Sequence, residues 1–87
     1  MKMEVWKYPI VKYGGSEIRM PYHSKILCFQ LQDDIPTIWV LVDSDVILLE
    51  YRRFQLVNTG EPLESAYVTY IGTVQNGSYV THLFENT

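Results

Sequence analysis

The chain has 87 residues, 47% of them hydrophobic, 20% charged and 14% aromatic, with one cysteine and a net charge of −3. This length suits one domain over residues 1–87, the apolar content excludes a disordered chain, and a lone cysteine excludes an internal disulfide framework or a multi-cysteine zinc site. With 10 acidic against 7 basic side chains and no apolar run near the ~18 residues of a membrane span, neither duplex nucleic acid nor a membrane is an expected partner.

The start, Met1 to Lys7, is charged and aromatic and does not read as a signal peptide. Met3 to Val11 alternates, with Val5, Lys7 and Pro9 on one face and Trp6, Tyr8 and Ile10 on the other. Proline cannot donate to a strand ladder, so Pro9 predicts an edge strand or an end of pairing. Gly14-Gly15-Ser16 predicts a turn, and Glu17 to Met20 a short extended segment stopped by Pro21. Lys25 to Gln32 reads as a half-buried strand, with Ile26, Cys28, Gln30 and Gln32 facing one way and Leu27, Phe29 and Leu31 the other.

Asp33-Asp34-Ile35-Pro36 has the chemistry of an Asx turn followed by a proline of preset φ. Thr37 to Val42 is apolar on both faces, as in a central strand, and Asp43-Ser44-Asp45 turns again. Val46 to Val57 admits a helical stripe through Ile47, Glu50, Tyr51 and Phe54, but Val46, Tyr51, Phe54 and Val57 favour extended structure, and a strand is expected. Asn58 to Pro62 is an irregular loop, with one helical turn expected at Leu63 to Ser65.

The C-terminal stretches Ala66 to Val74 and Ser78 to Phe84 flank Asn76-Gly77, the preferred pair for a type I′ hairpin. That tip would set Gln75 against Ser78, Val74 against Tyr79, Thr73 against Val80 and Ile71 against His82. Ile71, Val80, His82 and Phe84 would then share one face, and Val74, Tyr79 and Leu83 the other. Gly72 would oppose Thr81 and allow a bend or close packing. Six or seven short strands with such turns predict an all-β fold, a compact antiparallel sandwich or a partly open barrel. Trp6, Trp39, Phe29, Phe54 and Phe84 suit either a dense core or a core plus an apolar interface, and the exposed edges of so small a fold make a homo-oligomer the expectation.

Catalytic chemistry finds little purchase. His23 lies in a connector and reads as a surface turn residue; His82 reads as a core-edge histidine bonded to a neighbouring hydroxyl. Cys28 reads as an inert, strand-embedded thiol. No Gly-x-Ser-x-Gly elbow occurs, and Gly14-Gly15 and Gly60 match neither nucleotide fingerprint. Asp33, Asp34, Asp43 and Asp45 mark opposite ends of one strand, about 25 Å apart at ~3.3 Å per residue, so they cannot hold one metal. The expectation is a non-enzyme without metal or cofactor.

Binding has more material. Seven tyrosines (8, 13, 22, 51, 67, 70 and 79) offer rigid apolar surface with a polar tip, and five basic residues against Glu4 and Glu17 make the chain up to Lys25 locally cationic. The candidate ligand-binding set is Arg19, Tyr22, Lys25, Tyr51, Arg52, Arg53 and Tyr79, although Arg52 and Arg53 would point to opposite faces of a strand.

The ordered motifs Val5-Trp6-Lys7-Tyr8, Ile18-Arg19-Met20-Pro21, Lys25-Ile26-Leu27, Trp39 to Asp43, Arg53-Phe54, Asn58 to Leu63, Tyr70 to Gln75 and Val80 to Glu85 span nearly the whole chain. They resemble a family of small proteins of unknown function encoded by phages and their bacterial hosts. The resemblance implies a small phage-type accessory protein in the host cytoplasm and carries no catalytic residue. Family members read Gly-Thr-Gly-His-Pro where this chain has Asn58 to Pro62, so Glu61 stands in place of a histidine. Val46 to Glu50 is more apolar than the family pattern and is a candidate interface. The resulting expectation is a stoichiometric binder of a host protein, in immunity. The alternatives are a sponge that traps a small anionic nucleotide signal, with the Tyr/Arg pocket between subunits, and a virion component.

Overall fold

The structure, a computed structural model, describes residues 1–87. Seven antiparallel strands, β1 (Met3–Pro9), β2 (Gly14–Pro21), β3 (Lys25–Gln32), β4 (Ile35–Asp43), β5 (Leu49–Asn58), β6 (Val68–Asn76) and β7 (Tyr79–Asn86), form two sheets and no helix. One sheet has the order β1-β4-β3 and the other β2-β5-β7-β6. The sheets pack face to face and do not close into a barrel. The core between them holds Ile10, Met20, Phe29, Ile38, Val40, Val42, Phe54, Leu56 and Leu83.

Period-two patterning accounts for this arrangement. In β4, Ile38, Val40 and Val42 enter the core while Trp39 and Leu41 stand on the outer face, so the strand that reads as apolar on both faces lies at the centre of its sheet. β1, carrying Pro9, is an edge strand, and Tyr8 and Ile10 face inward. Val46 to Val57 resolves as strand from Leu49 onward, preceded by a crossover between the sheets.

Two edge strands meet along one side of the sandwich. β3 and β6 each carry a bulge, between Ile26 and Cys28 and between Tyr70 and Gly72, and there the sheets approach each other. A Cβ on Gly72 would lie 3.3 Å from the Phe29 Cβ, so the absent side chain permits the contact. Both bulges overturn strict alternation. Ile26, expected on the Cys28 face, packs on the core, and Leu27 is 47% exposed. Ile71 turns inward, away from the face of His82.

The turns bring further corrections. Gly14-Gly15-Ser16 is the start of β2, with Gly14 at φ +83°, and the bend falls at Lys12-Tyr13. The β3–β4 connection is a two-residue hairpin in which Asp33 and Asp34 both take left-handed φ (50° and 66°), as a type I′ turn requires, in place of the Asx turn. The β6–β7 tip is Gly77-Ser78, with Asn76 opposite Tyr79, Val74 opposite Thr81 and Gly72 opposite Leu83. Only Gly77 (φ +62°) is left-handed there, the pattern of a type II′ turn. Leu63 to Ser65 forms no helical turn. This stretch lies over the four-stranded sheet, where the buried Gln55 accepts from the Glu64 N–H and donates to Asn86 Oδ1 at 2.8 Å.

Candidate functional site

The β2–β5 register puts Arg19 opposite Tyr51 and Glu17 opposite Arg53, all on the outer face of the four-stranded sheet. The Arg19 guanidinium lies 5.9 Å from the Tyr51 ring centroid, a cation–π contact. Arg52 points the other way. Its Nε and Nη2 donate to Glu85 at 2.6 and 2.8 Å, and Nη1 donates to the Ser24 carbonyl. The hydrogen bonds to Glu85 hold its pKa above the usual arginine value against the opposing effect of burial. Arg52 is therefore a strut that ties β5, β7 and the β2–β3 turn together.

The other members of the set are dispersed. Tyr22 sits in the β2–β3 turn, edge-on to His23 at 5.1 Å. Lys25 stands beside Leu41 on the outer face of the three-stranded sheet. Tyr79 lies nine positions along the four-stranded sheet from Tyr51, about 30 Å at ~3.3 Å per residue. Of the seven residues, only Arg19, Tyr51 and Arg53 share one surface, and no concave site within one chain gathers them all.

The histidines and the cysteine have structural surroundings. His82 Nδ1 bonds Thr73 Oγ1 (2.9 Å), which bonds the Tyr70 hydroxyl (2.6 Å), while Nε2 bonds Thr59 Oγ1 (2.7 Å). Both ring nitrogens are satisfied by neighbouring hydroxyls, as its place in the sequence predicts. This chain borders a shallow cleft of about 290 Å³ under the loop that carries Gly60 and Glu61. Glu61, in the position of the family histidine, closes its own turn: Oε1 accepts the Asn58 N–H at 2.7 Å. His23 takes a left-handed φ of 64° in an exposed turn. Cys28 is half-buried beside Trp39. The aspartate pairs lie at opposite ends of β4, and no three His, Cys, Asp or Glu side chains converge.

Exposed apolar surface is more abundant. Six of the seven tyrosines are exposed, and only Tyr8 packs on the core. In the crossover from β4 to β5, Ile47 is 92% and Leu48 71% exposed, and the Leu48 carbonyl accepts the Tyr22 N–H at 3.0 Å. The candidate set contains neither residue; the apolar excess of Val46 to Glu50 over the family pattern is the signal that marks them.

A family model described as “Domain of unknown function (DUF7352)” matches residues 1–87. The chain belongs to this family. The match spans the stretch over which the ordered motifs carry the resemblance. No curated protein and no solved structure matches the chain.

Proposed function

We propose that the chain is a stoichiometric binder, a phage-type accessory protein that occupies a host protein, of the immunity class, and acts by occupancy and not by turnover. The observation that carries this reading is the Ile47-Leu48 pair, held in water on a crossover anchored at both ends: Val46 N–H bonds the Asp43 carbonyl at 3.1 Å, and Leu48 bonds Tyr22. Burying two such side chains under a partner contributes about 1.5–3 kcal/mol each. Tyr22 adjoins Leu48 through its backbone bond, and the Arg19–Tyr51 pair follows three positions further along β2 and β5; tyrosine and arginine are residue types that dominate binding hot spots. The test is capture of a one-to-one partner from bacterial host lysates. Wild type should retain it, Ile47→Asp/Leu48→Asp should lose it with the fold intact, and Tyr79→Ala, at the far end, should keep it. Failure of wild type to retain any partner across several hosts would overturn the proposal.

The Arg19–Tyr51–Arg53 surface favours a second reading, a sponge for a nucleotide signal, because it offers a stacking ring beside two guanidinium groups. With Arg52 held by Glu85, such a pocket needs a second subunit. Thermal-shift screening against cyclic di- and oligonucleotides tests it, and an unmoved melting temperature across the panel ends it.

A further inference from the structure

Strands β1, β3, β2 and β6 border the two sheets, and three of these edges are guarded. β3 and β6 are bulged and meet along the seam, and β1 carries Lys7 and Pro9, residues that blunt an edge. β2 has no bulge: it pairs with β5 without a register shift from Gly14 against Leu56 to Pro21 against Leu49. In an antiparallel strand the backbone groups of successive residues point alternately to either side. The Tyr22 N–H continues this register by donating to the Leu48 carbonyl. Met20, Ile18 and Ser16 therefore turn their backbone groups toward β5, and Arg19 and Glu17 turn theirs out to solvent.

Both ends of this edge are closed and its middle is open. The Gly15 N–H is held by Glu64 Oε1 at 3.3 Å, and the Pro21 carbonyl accepts the N–H and the hydroxyl of Ser24. Between them, the N–H and C=O groups of Glu17 and Arg19 have no partner within the chain. Their exposed side chains lie on the outer face, where Glu17 makes no ion pair or hydrogen bond and Arg19 only its contact with Tyr51. Arg53, opposite Glu17 on β5, likewise makes no ion pair. The nearby carboxylates are engaged elsewhere, Glu64 on Gly15 and Glu50 beside Arg52 on the inner face at 3.9 Å.

We propose that β2 pairs antiparallel with β2 of a second copy of this chain about a two-fold axis at Ile18, joining the two four-stranded sheets into one. With the axis there, Glu17 stands opposite Arg19 of the second copy, and Arg19 opposite Glu17 of the second copy. Each of these residues then exchanges N–H···O=C bonds with a partner of opposite charge on the same face. Moving the axis to Glu17 sets glutamate on glutamate and Arg19 on the closed Gly15. Moving it to Arg19 sets arginine on arginine and Glu17 on the closed Pro21. Charge and free backbone groups thus select the same register. The outer-face row across the axis runs Arg53, Glu17, then Arg19 and Tyr51 of the second copy, so each carboxylate lies between two guanidinium groups. Ile18, half-buried in one chain, meets Ile18 of the second copy on the inner face. β1 offers no such self-match, because its outward-turned residues Met3, Val5 and Lys7 include no acid. The pairing goes beyond the host-binding reading and uses neither Ile47 nor Leu48.

Sedimentation equilibrium of the full chain tests this, with circular dichroism to confirm that substitutions at these exposed positions leave the fold intact. Wild type should show a monomer–dimer equilibrium that weakens as salt is added. Glu17→Arg and Arg19→Glu should each weaken it ~30-fold, since two attractive contacts become two like-charge ones. An equimolar mixture of these two variants should dimerise again, because every pair across the axis is then of opposite sign. Lys7→Glu, on the other sheet, should change nothing. Amide exchange adds a readout of register: Glu17 and Arg19 should gain protection with rising concentration, while Ile18, already bonded to β5, stays constant. The pairing is overturned by a chain that stays monomeric at millimolar concentration, by a dimer that both single variants leave unchanged, or by a mixture that does not re-associate. Concentration-dependent protection at Met3 and Val5 in place of Glu17 and Arg19 overturns it as well.

Discussion

Replacing Glu85 with alanine strands the Arg52 guanidinium inside the sandwich, where each partner is only 18% exposed. Two charge-assisted hydrogen bonds disappear, at ~1.5–3 kcal/mol each. Arg52 keeps its bond to the Ser24 carbonyl, and the Glu50 carboxylate, 3.9 Å from Nη1, supplies partial compensation. A net loss of about 2–4 kcal/mol follows, somewhat under the usual cost of breaking a buried pair. A domain of this size has a total stability of about 4–13 kcal/mol, so the melting temperature should fall by roughly 10–30 °C. Urea and thermal unfolding followed by circular dichroism measure this directly. Arg52→Met/Glu85→Ala should be more stable than the sum of the single losses predicts, because the second change removes the stranded charge. Glu85→Ala within about 0.5 kcal/mol of wild type, or strictly additive losses, would refute the role given to this pair.

Gly72→Ala places a methyl against the Phe29 Cβ; the ~1–3 kcal/mol of overpacking exceeds the ~0.4–1 kcal/mol gained from a stiffer unfolded chain, for a net loss near 1 kcal/mol in urea titration. Gln55→Leu leaves the Glu64 N–H and Asn86 Oδ1 without partners, and the 59–67 loop should become susceptible to limited proteolysis while the strands keep their amide protection. Acid should loosen the start of β1. The Trp6 indole holds the Glu4 carboxyl, and the Lys2 and Asp45 N–H groups hold the Asp43 carboxyl, below their ordinary values. Their contribution is complete above the unfolded-state values and is lost as pH falls through the lower folded ones, so the amides of Met3 to Val5 should lose protection relative to free-peptide exchange at the same pH below about pH 4, and an indole N–H resonance that does not titrate would contradict this.

Faces were far more legible in the sequence than registers. The alternation of Ile38, Val40 and Val42, the proline at the edge and the β-branched and aromatic residues of β5 sufficed for strand identity and the all-β class, while the choice between a sandwich and a partly open barrel needed the sheet pairing. The C-terminal hairpin slipped by two residues, and a two-residue slip keeps every side chain on its face, so the pattern contains no signal against it. Gly72 marks a bend or close packing where the β6 bulge and the Phe29 contact lie, whereas the bulge at Leu27 has no local signal. The same holds for the site. Arg52 reads as a free cation until Glu85 is seen beside it, and the hydroxyls that bond His82, on Thr59 and Thr73, likewise come from other strands and loops and not from its neighbours in sequence.

The seam where Phe29 lies over Gly72 also bears on how the chain assembles. β3–β4 and β6–β7 are joined by two-residue tips and can form on the microsecond scale of isolated hairpins. β1 and β2 must instead find partners roughly forty residues away, Met3 against Asp43 and Gly14 against Leu56, and bear the loop-closure entropy that slows non-local pairing. Docking the two hairpins through the seam builds two of three strands of one sheet and two of four of the other; β5 then adds to β7, and β1 and β2 zip onto β4 and β5 as the closing strands. The same order run backwards makes β1 and β2 the first to peel away, and the seam the last contact to be lost.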